Sequence, residues 1–118
     1  MTKLKDIMIC NTNITQEGIS KLVNVIELRC QFSTNIISLN HMEKLKVINL
    51  RYSNVSQEGI DQLRNIKTIY SLTPHITSLN HLKDLKILNL SYSNVNQVGI
   101  SKLENDFIII LRIMINYF

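Results

Sequence analysis

Short runs of alternating apolar and polar residues recur along the chain and predict β-strands. The clearest runs are LKDIMI at 4–9, LKVINL at 45–50 and LKILNL at 85–90. In each run the first, fourth and sixth residues are apolar. The fourth and sixth lie on one face of a strand because strand side chains alternate. We therefore expect three short strands, each with one buried face.

Two weaker copies of this pattern lie between the strong ones. They begin at Val25 and Ile66, and their sixth positions hold Cys30 and Ser71 in place of a large apolar residue. The five units start near residues 4, 25, 45, 66 and 85, at spacings of 19 to 21 residues. We call the units that start at 4, 45 and 85 odd and those that start at 25 and 66 even. Because of Cys30 and Ser71, we expect the even units to pack less well.

The ninth position of most units carries a hydroxyl residue, which can hydrogen-bond to the backbone of a neighbouring unit. The residues there are Thr12, Ser33, Ser53 and Ser93. In the unit that starts at 66 this position falls on Pro74, which has no side-chain donor or acceptor. An asparagine follows one place later in the odd units, where it either bonds adjacent backbone or suits a turn. These asparagines are Asn13, Asn54 and Asn94.

The segments that return from each strand to the next differ between odd and even units. Odd units carry Thr, Ser or Asn as a helix N-cap, then Gln-x-Gly-Ile-x-x-Leu, at 15–22, 56–63 and 96–103. This predicts a short helix whose Ile and Leu face the sheet. We expect its glycine, at Gly18, Gly59 and Gly99, to pack closely against the neighbouring turn. Even units carry SLNHMEKL at 38–45 and SLNHLKDL at 78–85, and their three-residue apolar spacing predicts a 3₁₀-like turn.

The chain also repeats itself on a longer scale. Residues 36–65 and 76–105 align without a gap and are identical at 18 of 30 positions. Such self-similarity indicates stacked units. Together with the L-x-x-L-x-L-x-x-x-x-L spacing, it resembles the leucine-rich repeat family over residues 4–105. The resemblance implies an α/β fold: a leucine-rich repeat solenoid with a short-stranded parallel sheet on its concave face and short helices or 3₁₀ turns on its convex face.

This resemblance divides the chain into a solenoid at 1–105 and an apolar C-terminal tail at 106–118. The tail partly fits a sixth strand, with Ile109 and Leu111 at the fourth and sixth positions. It is too short to span a bilayer. Three interpretations stay open: an improvised cap, a dimer contact, or the end of a truncated or frame-shifted gene.

The composition adds a second resemblance. With 118 residues, 19 Ile, 14 Asn and no Ala or Trp, the chain reflects AT-rich codons. This composition and the segment SLNHLKDLKILNLSYSNV resemble the leucine-rich-repeat genes of insect poxviruses. That resemblance implies an intracellular viral protein that engages host factors. A cytoplasmic location is also expected because the start of the chain lacks an apolar secretory segment, and because Cys10 and Cys30 show no metal or redox spacing.

The concave face is where the resemblance places partner binding. Aromatic and arginine side chains predicted on that face are the first candidates, because such residues dominate binding hot spots. The alternative is that they merely suit a pleated surface. We predict a non-enzymatic scaffold that binds a protein partner. The candidate partner-binding residues are Arg29, Phe32, Asn49, Arg51, Tyr52, Tyr70, Asn89 and Tyr92.

Other functions are weaker expectations. The net charge of +4 and a possible stripe of Lys5, Lys46, Lys67 and Lys86 would suit a weak nucleic-acid binder. The chain could also be a repeat remnant without a dedicated partner, or self-associate through uncapped ends. His41 and His81 recur at equivalent places, which indicates a structural role. No zinc spacing, phosphate loop or nucleophile elbow is found, so we expect no enzyme, metal or cofactor.

Overall fold

The chain forms one parallel sheet in which the strands follow each other in chain order. The computed structural model describes residues 5–8, 13–90, 93–103 and 108–110. Parallel strands joined by short helical turns agree with the predicted α/β class. The six strands are β1 (Asp6–Met8), β2 (Glu27–Arg29), β3 (Val47–Asn49), β4 (Thr68–Ser71), β5 (Ile87–Asn89) and β6 (Ile108–Ile110).

The sheet repeats one pattern of backbone hydrogen bonds. The Lys5 carbonyl accepts the N–H groups of Ile26 and Glu27, at 2.8 and 2.9 Å. The same arrangement recurs at later junctions, where Lys67 accepts from Lys86 and Ile87. All five junctions are parallel. The predicted sixth strand is confirmed as β6, in which Ile109 pairs with Leu88.

The core lies on one side of the sheet, between the strands and the return segments. The strand residues at its centre, Leu28, Ile48, Ile69 and Leu88, are fully buried. The apolar positions of both even units are buried just as completely, so the prediction that these units pack less well was wrong. The partly buried apolar residues that pack against the core belong instead to the first and fifth units. They are Ile7, Ile14, Leu22, Leu90 and Ile100.

A bulge in β4 explains this error for the unit that starts at 66. Ile48 pairs with Ile69, but Asn49 pairs with Ser71, so Tyr70 is an extra residue in the strand. The chain after the bulge is displaced, and Leu72 becomes buried, with 1% of its surface exposed. The assignment of Ser71 to the sixth, core-facing position was therefore wrong.

The same displacement changes which residue occupies the ninth position of this unit. Thr73 is fully buried there, like Ser33 in the other even unit, whereas Pro74 is exposed. The Thr73 hydroxyl donates to the Val55 carbonyl at 2.8 Å. The unit that seemed to lack a hydroxyl therefore has one.

The return segments of the odd units contain 3₁₀ helices, at Glu17–Ile19, Glu58–Ile60 and Val98–Ile100. The N-cap residues of these helices are Gln16, Gln57 and Gln97, which make no side-chain cap bond, so the predicted caps lie one residue too early. The side-chain oxygens of Thr15, Ser56 and Asn96 each accept the N–H of the glycine three residues later, at 3.1, 3.1 and 3.2 Å. Even units make the predicted tight turn, in which the Met42 N–H donates to the Leu39 carbonyl at 2.9 Å. Within the described ranges, no helix has the length and apolar character needed to cross a membrane.

Two of the three glycines are required by close packing between units. A Cβ at Gly59 would lie 2.2 Å from the Ile37 carbonyl oxygen, and one at Gly99 would lie 2.1 Å from that of Thr77. Both distances are far inside van der Waals contact, which confirms the prediction for these positions. Among the described residues, the nearest atom to a Cβ at Gly18 would be Ile14 Cγ2 at 3.4 Å, an ordinary contact, so packing against these residues does not explain that glycine.

Glutamine side chains connect the first and third units to the even units that follow them. Gln57 Oε1 accepts the N–H groups of Thr77 and Ser78 at 2.8 and 2.9 Å, and its Nε2 donates to the Ser78 carbonyl at 2.9 Å. Gln16 makes the same three bonds to the backbone at 37–38. Each glutamine thus satisfies backbone groups that its own unit does not reach.

Asparagine side chains connect units in both directions. Asn40 donates to the Glu58 carbonyl at 2.7 Å and accepts the Gln62 N–H at 2.9 Å, both in the next unit. Asn54 donates backwards, to the Thr34 carbonyl at 2.8 Å. Asn80 and Asn94 repeat these two roles. Asn54 and Asn94 therefore bond adjacent backbone, which decides between the two roles left open above.

Candidate functional site

Three of the predicted binding residues come together after strands β2 and β3. Phe32 and Tyr52 stack with their ring centroids 4.9 Å apart and their planes inclined by 24°. The Phe32 N–H donates to the Arg51 carbonyl at 3.0 Å, so the backbone itself brings the two turns together. About half of each ring is exposed, 47% for Phe32 and 52% for Tyr52. The pair is therefore an apolar surface that the fold leaves open.

The backbone at both aromatic residues is unusual. Phe32 has φ 63° and Tyr52 has φ 59°, and they are the described non-glycine residues with positive φ. The left-handed region costs an L-residue about 1–2 kcal/mol, and bulky residues are rare there. Strained conformations of this kind concentrate at functional sites. In this left-handed conformation the two large rings point outward and are not buried.

Arg51 completes the cluster. Its guanidinium carbon lies 4.8 Å from the centroid of the Tyr52 ring, which is a cation–π contact. One of its terminal nitrogens donates to the Tyr52 hydroxyl at 3.2 Å. The aromatic surface is thereby bordered by positive charge. We call Phe32, Arg51 and Tyr52 the aromatic cluster.

A groove of about 410 Å³ opens beside the aromatic cluster. Turns of three successive units form its walls, and Asn54 fixes two of them by its bond to Thr34. None of the lining residues is acidic. Those residues are Phe32, Thr34, Tyr52, Ser53, Asn54, Pro74 and His75. The sequence predicted Phe32 and Tyr52 as binding residues of the concave face but did not predict Thr34, Pro74 or His75, whose positions depend on the lengths of the turns.

The other predicted residues lie elsewhere. Arg29 is exposed on β2 and forms an ion pair with Glu27 at 2.9 Å. Tyr70 is half exposed at the bulge in β4 and does not line the groove. Asn49 and Asn89 are half-buried at the ends of β3 and β5. Tyr92 lies outside the described residues.

The recurrent histidines bond to the backbone of the preceding odd unit. His41 Nε2–H donates to the Ile19 carbonyl at 2.8 Å, and His81 Nε2–H donates to the Ile60 carbonyl at 3.0 Å. Burial lowers the pKa of His81 below its ordinary value. The contacts of both histidines join units, which is consistent with the predicted structural role.

The described part of the chain contains few other groups that could bind a metal ion or a ligand. There, no group of three or more His, Cys, Asp or Glu residues is placed to hold a metal ion. Cys30 is a buried thiol, and Cys10 lies outside the described residues. Lys46, Lys67 and Lys86 lie directly before β3, β4 and β5, and the N–H of each of the later two donates to the carbonyl of the one before, at 2.8 Å. These lysines are exposed and form a column along one edge of the sheet.

Comparison with known proteins adds no family assignment. No protein-family model matches this sequence, and a comparison with curated proteins finds no match.

Proposed function

We propose that the chain is a leucine-rich-repeat solenoid that serves as a non-enzymatic scaffold for binding a protein partner. Six parallel strands in chain order, with register partners such as Asp6 and Glu27 one unit apart, support the solenoid architecture. Glutamine and asparagine bonds between successive units support it further. On this proposal residues 1–105 form the repeats, and β6 extends them into the tail.

The aromatic cluster is the observation that carries the proposed function. Tyr and Arg are among the residues most enriched at binding hot spots. Here Phe32 and Tyr52 are held in a costly backbone conformation with half of each ring exposed. Rings buried in the core would stabilise the fold. These exposed rings contribute most to the free energy of binding, when a partner covers them. The binding centre is therefore the aromatic cluster and its groove, and Tyr70, Arg29, Asn49 and Asn89 form a secondary surface on the sheet.

Affinity capture with matched variants tests this proposal. The tagged wild-type chain, Tyr52→Ala, Tyr70→Ala and Val98→Ala would be used on cell extracts at low and moderate salt. Val98 is the control because it is 73% exposed on a return segment, away from the groove. We expect the same protein to be enriched by the wild type and by Val98→Ala at both salt concentrations, and to be lost with Tyr52→Ala. Tyr70→Ala should weaken its capture less.

Nucleic-acid binding through the lysine column is the second candidate. Stacked lysines on adjacent strands could follow a phosphate backbone, and such binding would weaken steeply as salt rises. Lys46→Ala combined with Lys67→Ala would abolish it, whereas Tyr52→Ala would not. If no protein is enriched above the control and labelled oligonucleotides bind in this salt-dependent way, the scaffold proposal is wrong. If neither a protein nor an oligonucleotide binds, the chain is a repeat remnant.

A further inference from the structure

The groove beside the aromatic cluster lies where strands β2, β3 and β4 end, in a region without acidic side chains. The turns that follow these strands, at 31–36, 51–55 and 72–76, contain none of the chain's nine aspartate and glutamate residues. The side chains there that can carry positive charge are Arg51 and His75. A surface of this kind attracts negatively charged partners and disfavours positively charged ones.

The Tyr52 hydroxyl and the Arg51 guanidinium are adjacent donors at the border of the groove. One terminal nitrogen of Arg51 donates to the Tyr52 hydroxyl oxygen at 3.2 Å. A phenol can donate a hydrogen bond while it accepts one, and within the described ranges the Tyr52 hydroxyl donates to no acceptor. The bond from a cation polarises the phenol and makes it a stronger donor. A carboxylate suits this pair, because it accepts charge-assisted hydrogen bonds and neutralises the guanidinium.

The dimensions of the groove suit a short extended peptide. The groove crosses turns of three successive units, and neighbouring strands lie about 4.8 Å apart, so its length is about 10 Å. An extended chain advances about 3.3 Å per residue, so about three residues would fill it. Its apolar surface comes from Phe32, Tyr52 and Pro74, and its polar surface includes Thr34 and His75. Because side chains alternate along an extended chain, consecutive residues of a bound peptide can contact the two kinds of surface in turn.

We propose that the groove binds an extended segment of the protein partner in which an aromatic residue is followed by aspartate or glutamate. The aromatic ring covers the exposed parts of Phe32 and Tyr52, since aromatic pairs gain more than their buried area alone provides. The carboxylate accepts the Tyr52 hydroxyl hydrogen and pairs with Arg51. A basic segment would instead place a second cation beside Arg51, with no carboxylate in the three turns to compensate it. This inference rests on the proposed scaffold function and adds the chemistry of the segment that the scaffold recognises.

Tryptophan fluorescence of synthetic peptides tests this inference, because the chain itself contains no tryptophan. Three peptides would be compared: Gly-Ser-Trp-Glu-Glu-Ser-Gly, and the same peptide with two serines or two lysines in place of the glutamates. Titration with the full chain should shift the emission of the acidic peptide to shorter wavelength, with a dissociation constant below about 1 mM. The serine peptide should bind about tenfold more weakly, and the lysine peptide more weakly still. Equal affinity for the three peptides, or no binding of the acidic peptide at millimolar concentration, would overturn the proposal.

Tyr52→Phe is the decisive variant, because it keeps the stacked ring and removes only the hydroxyl group. The affinity for the acidic peptide should fall by about threefold or more, toward that of the serine peptide. Arg51→Gln should lower it in the same way, because the positive charge is lost. Val98→Ala changes an exposed side chain away from the groove and should bind like the wild type. If Tyr52→Phe distinguishes the peptides as well as the wild type does, the proposal is wrong.

The peptide titration and the affinity capture can fail independently. Capture of a protein that depends on Tyr52, together with equal affinity for the three peptides, would refute the peptide chemistry and leave the scaffold proposal intact. Failure of capture with every variant would refute the scaffold proposal, whatever the peptides show.

Discussion

Phe32 and Tyr52 are twenty positions apart in sequence and stack face to face, each from a left-handed backbone position. The same turn geometry in successive units places the two rings at the same height, one strand spacing apart. Neither ring is buried, so the arrangement leaves an apolar surface exposed and adds little to the core.

The stacking should nevertheless be measurable as a coupling between the two side chains. We expect Phe32→Ala and Tyr52→Ala, singly and together, to give a coupling free energy of about 0.5–1.5 kcal/mol, the usual value of an aromatic pair. Urea unfolding of the four proteins gives this value. Strictly additive effects on the free energy of unfolding would show that the rings do not stabilise each other.

Gly59→Ala should destabilise the fold by about 1–3 kcal/mol or more, since the new methyl group must displace the backbone at Ile37. Gly18→Ala is the matched control. It should be neutral or stabilise the fold by up to about 1 kcal/mol, because Ala restricts the unfolded chain and its methyl group has only ordinary contacts with the described residues. Thermal or urea unfolding of both variants checks the contrast. Equal destabilisation of the two would contradict the packing described for the interior junctions.

Gln57→Ala removes three hydrogen bonds between units at once. It leaves the partly buried backbone of Ser78 without this partner, so we expect a loss of about 1–3 kcal/mol. Gln62→Ala provides the comparison. The contact of Gln62 with Asn40 uses its backbone N–H, which the substitution keeps. An exposed change of that kind should stay within about 0.5 kcal/mol. Chemical unfolding that shows equal effects for the two variants would rule out a stabilising role for Gln57.

Stability should fall in mildly acidic solution because of His81. Burial lowers its pKa from the ordinary 6.5, the bond to Ile60 opposes this shift, and the positive charge of Arg64 adds to it. The unfolded chain therefore binds the proton more readily than the folded chain. Full stability is present above about pH 6.5 and is lost progressively as the pH falls below that value.

His81→Gln isolates this contribution. Glutamine can still donate to the Ile60 carbonyl but does not titrate. Urea midpoints measured on either side of pH 6.5 should therefore differ less for His81→Gln than for the wild type. An unchanged pH dependence in the variant would assign the acid sensitivity to other groups.

The sequence predicted the strands well because their apolar positions are fixed by the alternation of side chains. Leu28, Ile48, Ile69 and Leu88 all lie at the predicted core position. The prediction failed at Tyr70, because the bulge there changes the face of the sheet on which each later residue lies. The apolar pattern of the sequence does not reveal such a bulge. Both Ser71 and Leu72 could fill the sixth position, and only the backbone register decides between them.

The candidate site was predicted only in part for a related reason. Repeat positions predicted Phe32, Arg51 and Tyr52 on the concave face of the sheet, whereas they lie in the turns directly after β2 and β3. The groove also needs Pro74 and His75, which reach it because the turn that follows β4 is shorter than the turn that follows β3. Turn length is not encoded in the apolar pattern that defines the units.

Within the described part of the chain, each strand contacts only the strands beside it. The sheet has two kinds of junction between units. The odd-to-even junctions use glutamine side chains, and the even-to-odd junctions use asparagine side chains together with a closely packed glycine. A duplication or deletion of a single unit would therefore bring two like units together and leave both sets of side chains without partners. A step of forty residues, the offset between 36–65 and 76–105, preserves every junction. The pair of units is thus the smallest segment by which a gene of this kind can grow or shrink while every join in the protein stays the same.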